Sequence, residues 1–307
     1  MIRAAGLSKS YGSTRAVDDL SFEVRPGVVT GFLGPNGSGK STTMRLILGL
    51  DRPDAGSVTL DGRRFHDLRW PLREVGALLE AKALHPGRSA YNHLLSLAQP
   101  NAIPRSRVDQ VLDIVGLTEV AGRKAGKYSL GMSQRLGIAS ALLGDPRVLL
   151  FDEPINGLDP EGILWVRTML KSLAGEGRTV FVSSHLMSEM ALTATDLVVI
   201  GRGRLIADTS VDDFISSHTE ATVLVRSPDP DRLAAVLESS GALVVRHDDA
   251  SLSVQKLTPD RIGDAAFSAG IPLHELSPQQ ASLEEVFMDL TSDAVDFHGS
   301  TGTEPVT

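Results

Sequence analysis

The 307-residue chain contains no cysteine. Disulfides and thiolate metal sites are therefore excluded, and a reducing interior suits the protein. Long apolar runs are missing too. Residues 28–33 and 148–151 are among the longest, whereas a bilayer-crossing helix takes about 20 residues, so no direct membrane span is expected. Behind Met1-Ile2-Arg3 comes a polar stretch around Ser8 and Tyr11, so no signal peptide is expected there. Positive charge is in deficit: a net charge of −8 argues against a protein that coats nucleic acid. The local group Arg63, Arg64, Arg69 and Arg73 reads as a solvated helix face. There is no internal repeat and no low-complexity tract. With a hydrophobic share of 42%, the length suits one large globular domain plus a smaller one.

What is present is dominated by residues 34–42, Gly34-Pro35-Asn36-Gly37-Ser38-Gly39-Lys40-Ser41-Thr42. Gly34, Gly39, Lys40 and Ser41 match the GxxxxGK[ST] phosphate-binding loop. Glycines let successive backbone N–H groups turn inward onto a phosphate chain. Lys40 reaches the β- and γ-phosphates, and the Ser41 hydroxyl can ligate Mg²⁺. Residues 28–33 read as a buried strand and 41–50 as a helix whose positive end faces the anion. The four fixed positions recur by chance in roughly one chain in a hundred of this length, and the strand–loop–helix setting makes chance rarer still. The chain is expected to bind a nucleoside triphosphate.

Short strands and turns are expected through about residue 65, with Asp61-Gly62 as a hairpin turn between 58–60 and 63–65. Residues 75–79 read as a strand. From Ser89 to about Leu143 the pattern is helical, with Ser89 capping one helix and Gly116 ending another. Strands at 148–151, 180–182 and 197–200 then alternate with helices, one capped by Asp159 with Pro160 in its first turn. This alternation implies a mainly parallel sheet covered on both faces. Further on, strands at 222–225, 243–245, 252–254 and 272–274 enclose helices at 229–238 and 259–267, and a last helix runs over 282–290. That β-α-β-β-α-β order belongs to a split-βαβ, ferredoxin-like unit. Residues 292–307 are small and polar, and are expected to be disordered.

Three other places carry chemistry. Residues 148–154 form an apolar strand ending in Asp152-Glu153-Pro154. At a parallel strand's carboxyl end, Asp152 suits a Mg²⁺ ligand, through water, and Glu153 can polarise an attacking water. Alone, such a pair is more often a helix cap or a solvated turn; a phosphate loop about a hundred residues upstream reverses that balance toward the catalytic reading. Ser129, in Tyr128-Ser129-Leu130-Gly131-Met132-Ser133-Gln134-Arg135, is an N-cap or, with the helix N-terminus, a second phosphate-binding surface. His185 follows a strand end and is a surface residue or a γ-phosphate contact. Tyr11 packs in the core or stacks on a purine.

In order and spacing, the loop at 34–42, the segment 128–134, Leu149-Leu150-Phe151-Asp152-Glu153-Pro154, Gly157-Leu158-Asp159 and His185 resemble the ATP-binding cassette family over about residues 1–215. The resemblance implies an α/β P-loop NTPase core of residues 1–218 with antiparallel-β and helical subdomains, the latter at about 85–145. A small C-terminal α+β domain would cover 219–291. It further implies ATP and Mg²⁺ as cofactors. Tyr11 would stack on adenine, Gly34 to Thr42 bind phosphate, and Ser41 and Asp152 hold the metal. Glu153 would be the catalytic carboxylate and His185 the γ-phosphate sensor. Ser129 and Gly131 would reach the ATP of a second copy, with Asp159 in the loop that communicates across that homodimer.

Two positions depart from the family pattern. Glu80 stands where glutamine is usual and remains a possible metal ligand, and Leu130 replaces the first signature glycine. The segment around Ser282-Leu283-Glu284-Glu285-Val286-Phe287 resembles that of drug- and antibiotic-export cassettes. It implies an ATPase bound peripherally to the cytoplasmic face of a separate membrane permease. The alternative, a soluble cassette ATPase acting on ribosomes or DNA, would want two cassettes or a coiled-coil insertion. A GTP switch would want an Asn/Thr-Lys-x-Asp motif, and none occurs.

Overall fold

The computed structural model describes residues 1–80, 83–217, 222–279 and 283–291. The main chain forms two compact units: Asp212–Asp289 make up the second, and Met1–Val211 with Leu290 and Thr291 belong to the first. The expected boundary at 218/219 lies a little further along.

In the first unit, strands β1 (Ile2–Tyr11), β2 (Thr14–Val24), β3 (Val29–Leu33), β4 (Ala55–Leu60) and β5 (Val75–Leu78) surround helices α1 (Lys40–Ile47) and α2 (Pro71–Glu74). Helices α3 (Ala90–Ala98), α4 (Arg105–Ile114) and α5 (Leu130–Leu142) follow. The unit is completed by β6 (Val148–Asp152), α6 (Pro160–Gly175), β7 (Thr179–Ser183), α7 (Met187–Thr193), β8 (Asp196–Gly201) and β9 (Arg204–Ser210). One antiparallel sheet has the order β2–β1–β4. A second has the order β5–β6–β7–β3–β8–β9 and is parallel except for β9. Apolar side chains cover both faces of its central strands, so β3 and β7 are buried at every position, as befits a parallel sheet. Phe22 of β2 meets Phe32 and Phe181 of the parallel sheet, with ring centroids 5.8 and 5.6 Å away, and those two rings lie 4.8 Å from each other. Such pairs add about 0.5–1.5 kcal/mol each beyond their burial, and they weld the two sheets into one core.

Local chemistry sets the helix ends. Ser89 accepts a hydrogen bond from Asn92 N, Ser129 from Met132 N and Asp159 from Gly162 N, so each caps its helix as its position implies. Gly116, at φ +69°, closes α4. Two expectations hold only in part. Asp61-Gly62 does turn, with both residues at positive φ, but residues 63–65 form no second strand. Only Leu60 and Arg63 bridge, and a 3₁₀ turn follows at Phe65–Asp67. The four arginines are exposed as expected, but they share no helix face, because only Arg73 lies in a helix. Arg63 pairs with Glu74, Arg69 and Arg73 lie over the Trp70 ring, and Arg73 also donates to the carbonyl of Asn101.

The second unit contains α8 (Val211–Ser217) from its second residue on, then β10 (Thr222–Arg226), α9 (Pro230–Ser239), β11 (Leu243–Arg246), β12 (Ser251–Gln255), α10 (Pro259–Ser268), β13 (Glu275–Gln279) and α11 (Leu283–Thr291) as far as Asp289. Its sheet has the order β11–β12–β10–β13 with every neighbour antiparallel. Val223, Val225, Leu252 and Val254 of that sheet pack on Leu233, Leu237 and Ile262 of α9 and α10. The last strand lies at 275–279 rather than 272–274. It carries Pro278, which an edge strand tolerates because its outer N–H need not join the ladder. Ser282 and the tail at 292–307, expected to open a helix and to be disordered respectively, lie outside the described residues.

Candidate functional site

The loop between β3 and α1 is built so that only glycine fits at two places. Gly39 sits at φ +104°, and a Cβ there would run into the Ala16 carbonyl oxygen. A Cβ on Gly34 would strike Ser38 Oγ and the Ile200 carbonyl oxygen. The chain therefore wraps closely around Lys40, whose side chain is buried and donates to the carbonyl oxygens of Gly34 and Pro35, the latter at 3.1 Å. Burial pushes the Lys40 ammonium below its ordinary range, and the nearby charges of Glu153 and Asp152 oppose that shift. Asn36, Gly37 and Ser41 are exposed, and Thr42 is half-buried.

The acidic side of the site comes from neighbouring parallel strands. Asp152 ends β6 and is in register with Ser183 at the end of β7. One Asp152 oxygen accepts from Ser183 Oγ, and the other from Ser41 Oγ at 2.9 Å. Glu153 sits at φ +50°, a left-handed backbone for a residue with a side chain. Three contacts hold it there. Its N–H donates to the carbonyl oxygen of Ser183 and, at 3.1 Å, to Ser183 Oγ, while its carbonyl accepts from Gln134 Nε2 at 2.9 Å. Its carboxylate then meets His185 Nδ1 at 2.8 Å. Lys40, Ser41, Asp152, Glu153 and His185 thus form one cluster at the strands' carboxyl ends.

Ser129, Gly131 and Asp159 form a different group. They line an open depression of about 460 Å³ together with Leu130 and Gly157. Leu130 lies directly on Gly157, where any Cβ would collide with it. No hydrogen bond or ion pair among the described residues joins Ser129, Gly131 or Asp159 to Lys40, Ser41 or His185.

Tyr11 is not a core residue. It is half exposed, and its hydroxyl donates to Asp51 at 2.6 Å. Arg45 of α1 donates to the same carboxylate at 2.7 Å. Together they hold Asp51 at about 2, and the shared proton raises the Tyr11 phenol above its ordinary value. Glu80 follows β5, beside the strand that carries Asp152. Its side chain is exposed, and among the described residues no bond ties it to Ser41 or Asp152. Ser183, Gln134 and Asp51 were not singled out from sequence as site residues. Ser183 directly precedes Ser184-His185, and that position was the available signal.

Residues 17–156 match the ABC transporter family model. The chain is 39% identical over 240 residues to the uncharacterized ABC transporter ATP-binding protein YhcH of Bacillus subtilis, covering 77% of this chain and 78% of that one. The chain belongs to the ABC transporter family. It is also 41% identical over 215 residues to the bacitracin transport ATP-binding protein BcrA of Bacillus licheniformis, covering 69% of this chain and 70% of BcrA. Among solved structures it resembles the ATP-binding cassette MJ0796, a dimer in a post-hydrolysis state bound to ADP and Pi. That likeness has a TM-score of 0.64 at 25% identity, covering 69% of this chain and 99% of MJ0796. A domain of unknown function (DUF8746) matches residues 221–284. As an ABC ATP-binding subunit, the protein binds ATP and hydrolyses it in work coupled to transport. Among the described residues, no helix is long and apolar enough to cross a membrane.

Proposed function

We propose that the protein powers a membrane exporter of peptide antibiotics or drugs by ATP-driven pairing of two copies. The observation that carries this reading is the separation of two residue groups within one chain. Lys40, Ser41, Asp152, Glu153 and His185 gather at one place, while Ser129, Gly131 and Asp159 line another. One chain then supplies half of each site, and a second copy supplies the other half. The similarity to BcrA supports the export of an antibiotic.

In this reading the backbone of Gly34 to Gly39 cradles the phosphates, and Lys40 exchanges its contacts with Gly34 and Pro35 for the β- and γ-phosphates. Tyr11 offers an exposed ring to the adenine. Ser41 Oγ and Asp152 Oδ2, two hard oxygen donors already 2.9 Å apart, fit Mg²⁺. When bound, the metal would supply neutralising charge to the phosphates, and Glu80, just past the end of β5 beside β6, would be the further carboxylate to hold it. Glu153 orients and deprotonates the attacking water, and His185 holds the carboxylate and reads the γ-phosphate. ATP favours the closed pair because its γ-phosphate touches Ser129 of the other copy, and hydrolysis removes that contact.

The division at Val211/Asp212 supports a nucleotide-binding domain followed by an accessory domain. The sheet order of the latter supports a ferredoxin-like fold. The partner is a separate permease, which would hold this subunit at the inner face of the cell membrane.

Glu153→Gln tests the reading. The variant is expected to bind ATP normally, to stall hydrolysis and to accumulate as an ATP-dependent dimer in size-exclusion chromatography. Parental turnover in that variant would overturn the assignment of the base. Co-purification with a multispanning protein tests the exporter role against the soluble alternative.

A further inference from the structure

Helix α7 starts two residues after His185, and its N-cap position is occupied by Leu186, which offers no side-chain oxygen to the first turn. An acidic residue in that turn would ordinarily support the free N–H groups. Glu189 is instead engaged by Arg167 of α6 at 2.6 Å. Both side chains are largely withdrawn from solvent, at 23% and 24% exposure, so the pair is screened less than a surface ion pair. Arg167 Nε is buried and has no hydrogen-bond partner among the described residues. The guanidinium is thus held in this geometry with part of its donor capacity unused, which costs stability.

The surroundings connect the pair to hydrolysis. A cavity of about 20 Å³ is lined by Arg167 and Glu189 together with Pro154, Ser183 and Ser184. Ser184 Oγ in turn accepts from Leu186 N at 3.0 Å. Helix α6 begins at Asp159, so Arg167 stands about 12 Å along the helix axis from that cap. Two residues before Arg167, the Trp165 ring carries Arg135 of α5 at 4.7 Å. The helix is therefore gripped from both sides.

We propose that Arg167 is a positioning residue for ATP hydrolysis: by holding Glu189 it sets the first turn of α7 and so keeps His185 on Glu153. A displacement of the Asp159 loop then reaches His185 through α6 and this ion pair. The inference rests on the reading of Glu153 and His185 as the hydrolytic pair.

The test uses the full chain and measures kcat, KM and ATP affinity, together with melting temperature. The variants are R167M, E189Q, the exchanged pair R167E/E189R, E153Q and H185A. R167M and E189Q are expected to lower kcat about tenfold with KM, ATP affinity and melting temperature near parental, and the exchange to recover much of the loss. Parental kcat in R167M and E189Q overturns the proposal. So does a loss of kcat matched by a loss of ATP affinity or melting temperature, or an exchange that recovers nothing. If E153Q and H185A keep parental turnover, the hydrolytic reading fails and takes the proposal with it. If they lose turnover while R167M and E189Q do not, the positioning role alone fails.

Discussion

Gln134 donates its side-chain amide to the main-chain carbonyl of Glu153 at 2.9 Å. The same helix begins at Ser129. The element that would present Ser129 to a partner's nucleotide is thereby tied to the backbone that aims the carboxylate of its own site.

Gln134→Leu removes that donor and leaves the carbonyl with only the 3.3 Å bond from Asn156 N. The loss is expected to be about 1–1.5 kcal/mol, or roughly tenfold in kcat if it falls wholly on the barrier. ATP affinity is expected to stay parental, because among the described residues no hydrogen bond joins the Gln134 side chain to the phosphate loop. Steady-state kinetics beside a binding titration checks this, and an unchanged kcat counts against the tie.

Asp51 is held at about 2 by the Arg45 guanidinium and the Tyr11 hydroxyl. Its unfolded value is about 3.9, so as pH falls the unfolded chain takes up the proton first. The stabilisation is complete above the unfolded value and is lost as pH falls through the folded one. Asp51→Asn is expected to lower the melting temperature slightly at neutral pH, with the gap to the parent closing between about pH 4 and pH 2. A gap that persists at the acid end would point to another cause.

Gly157 stands at φ +75° with Leu130 against it. Gly157→Ala meets both a left-handed backbone, worth about 1–2 kcal/mol, and the leucine side chain. Leu130→Ala in the same chain is expected to restore the part due to the collision and not the part due to the backbone. Melting temperatures of the two single variants and the double variant separate these contributions.

Lys40 is buried and its pKa is lowered by that burial. A lysine whose folded pKa lies below its unfolded one destabilises the fold while charged, and stability rises with pH through that window. Lys40→Met is therefore expected to melt no lower than the parent without nucleotide, yet to lose the rise in melting temperature that ATP gives. A retained ATP-dependent rise would remove Lys40 from the phosphate site.

Much of the site was legible in the sequence because its signals are local. The phosphate loop and the caps at Ser129 and Asp159 each depend on neighbours a few residues away. The Ser183–Asp152, Gln134–Glu153 and Tyr11–Asp51 contacts join residues 31, 19 and 40 positions apart. Only sheet register and helix packing bring those partners together. The same holds for the fold. Asp61-Gly62 turns as its composition demands, but a second strand needs a partner surface that residues 63–65 do not find. Residues 275–279 read poorly as a strand because of Pro278, and the edge position beside β10 overrides that local preference.

The left-handed backbone of Glu153 has a consequence for any attempt to make the protein hardier. A glycine or asparagine at position 153 would relax the main chain and lose the carboxylate. If Glu153 is the base proposed above, a screen for heat resistance alone is expected to reward the loss of turnover at this residue. Thermal hardening has to be sought elsewhere, with an activity counter-screen guarding position 153.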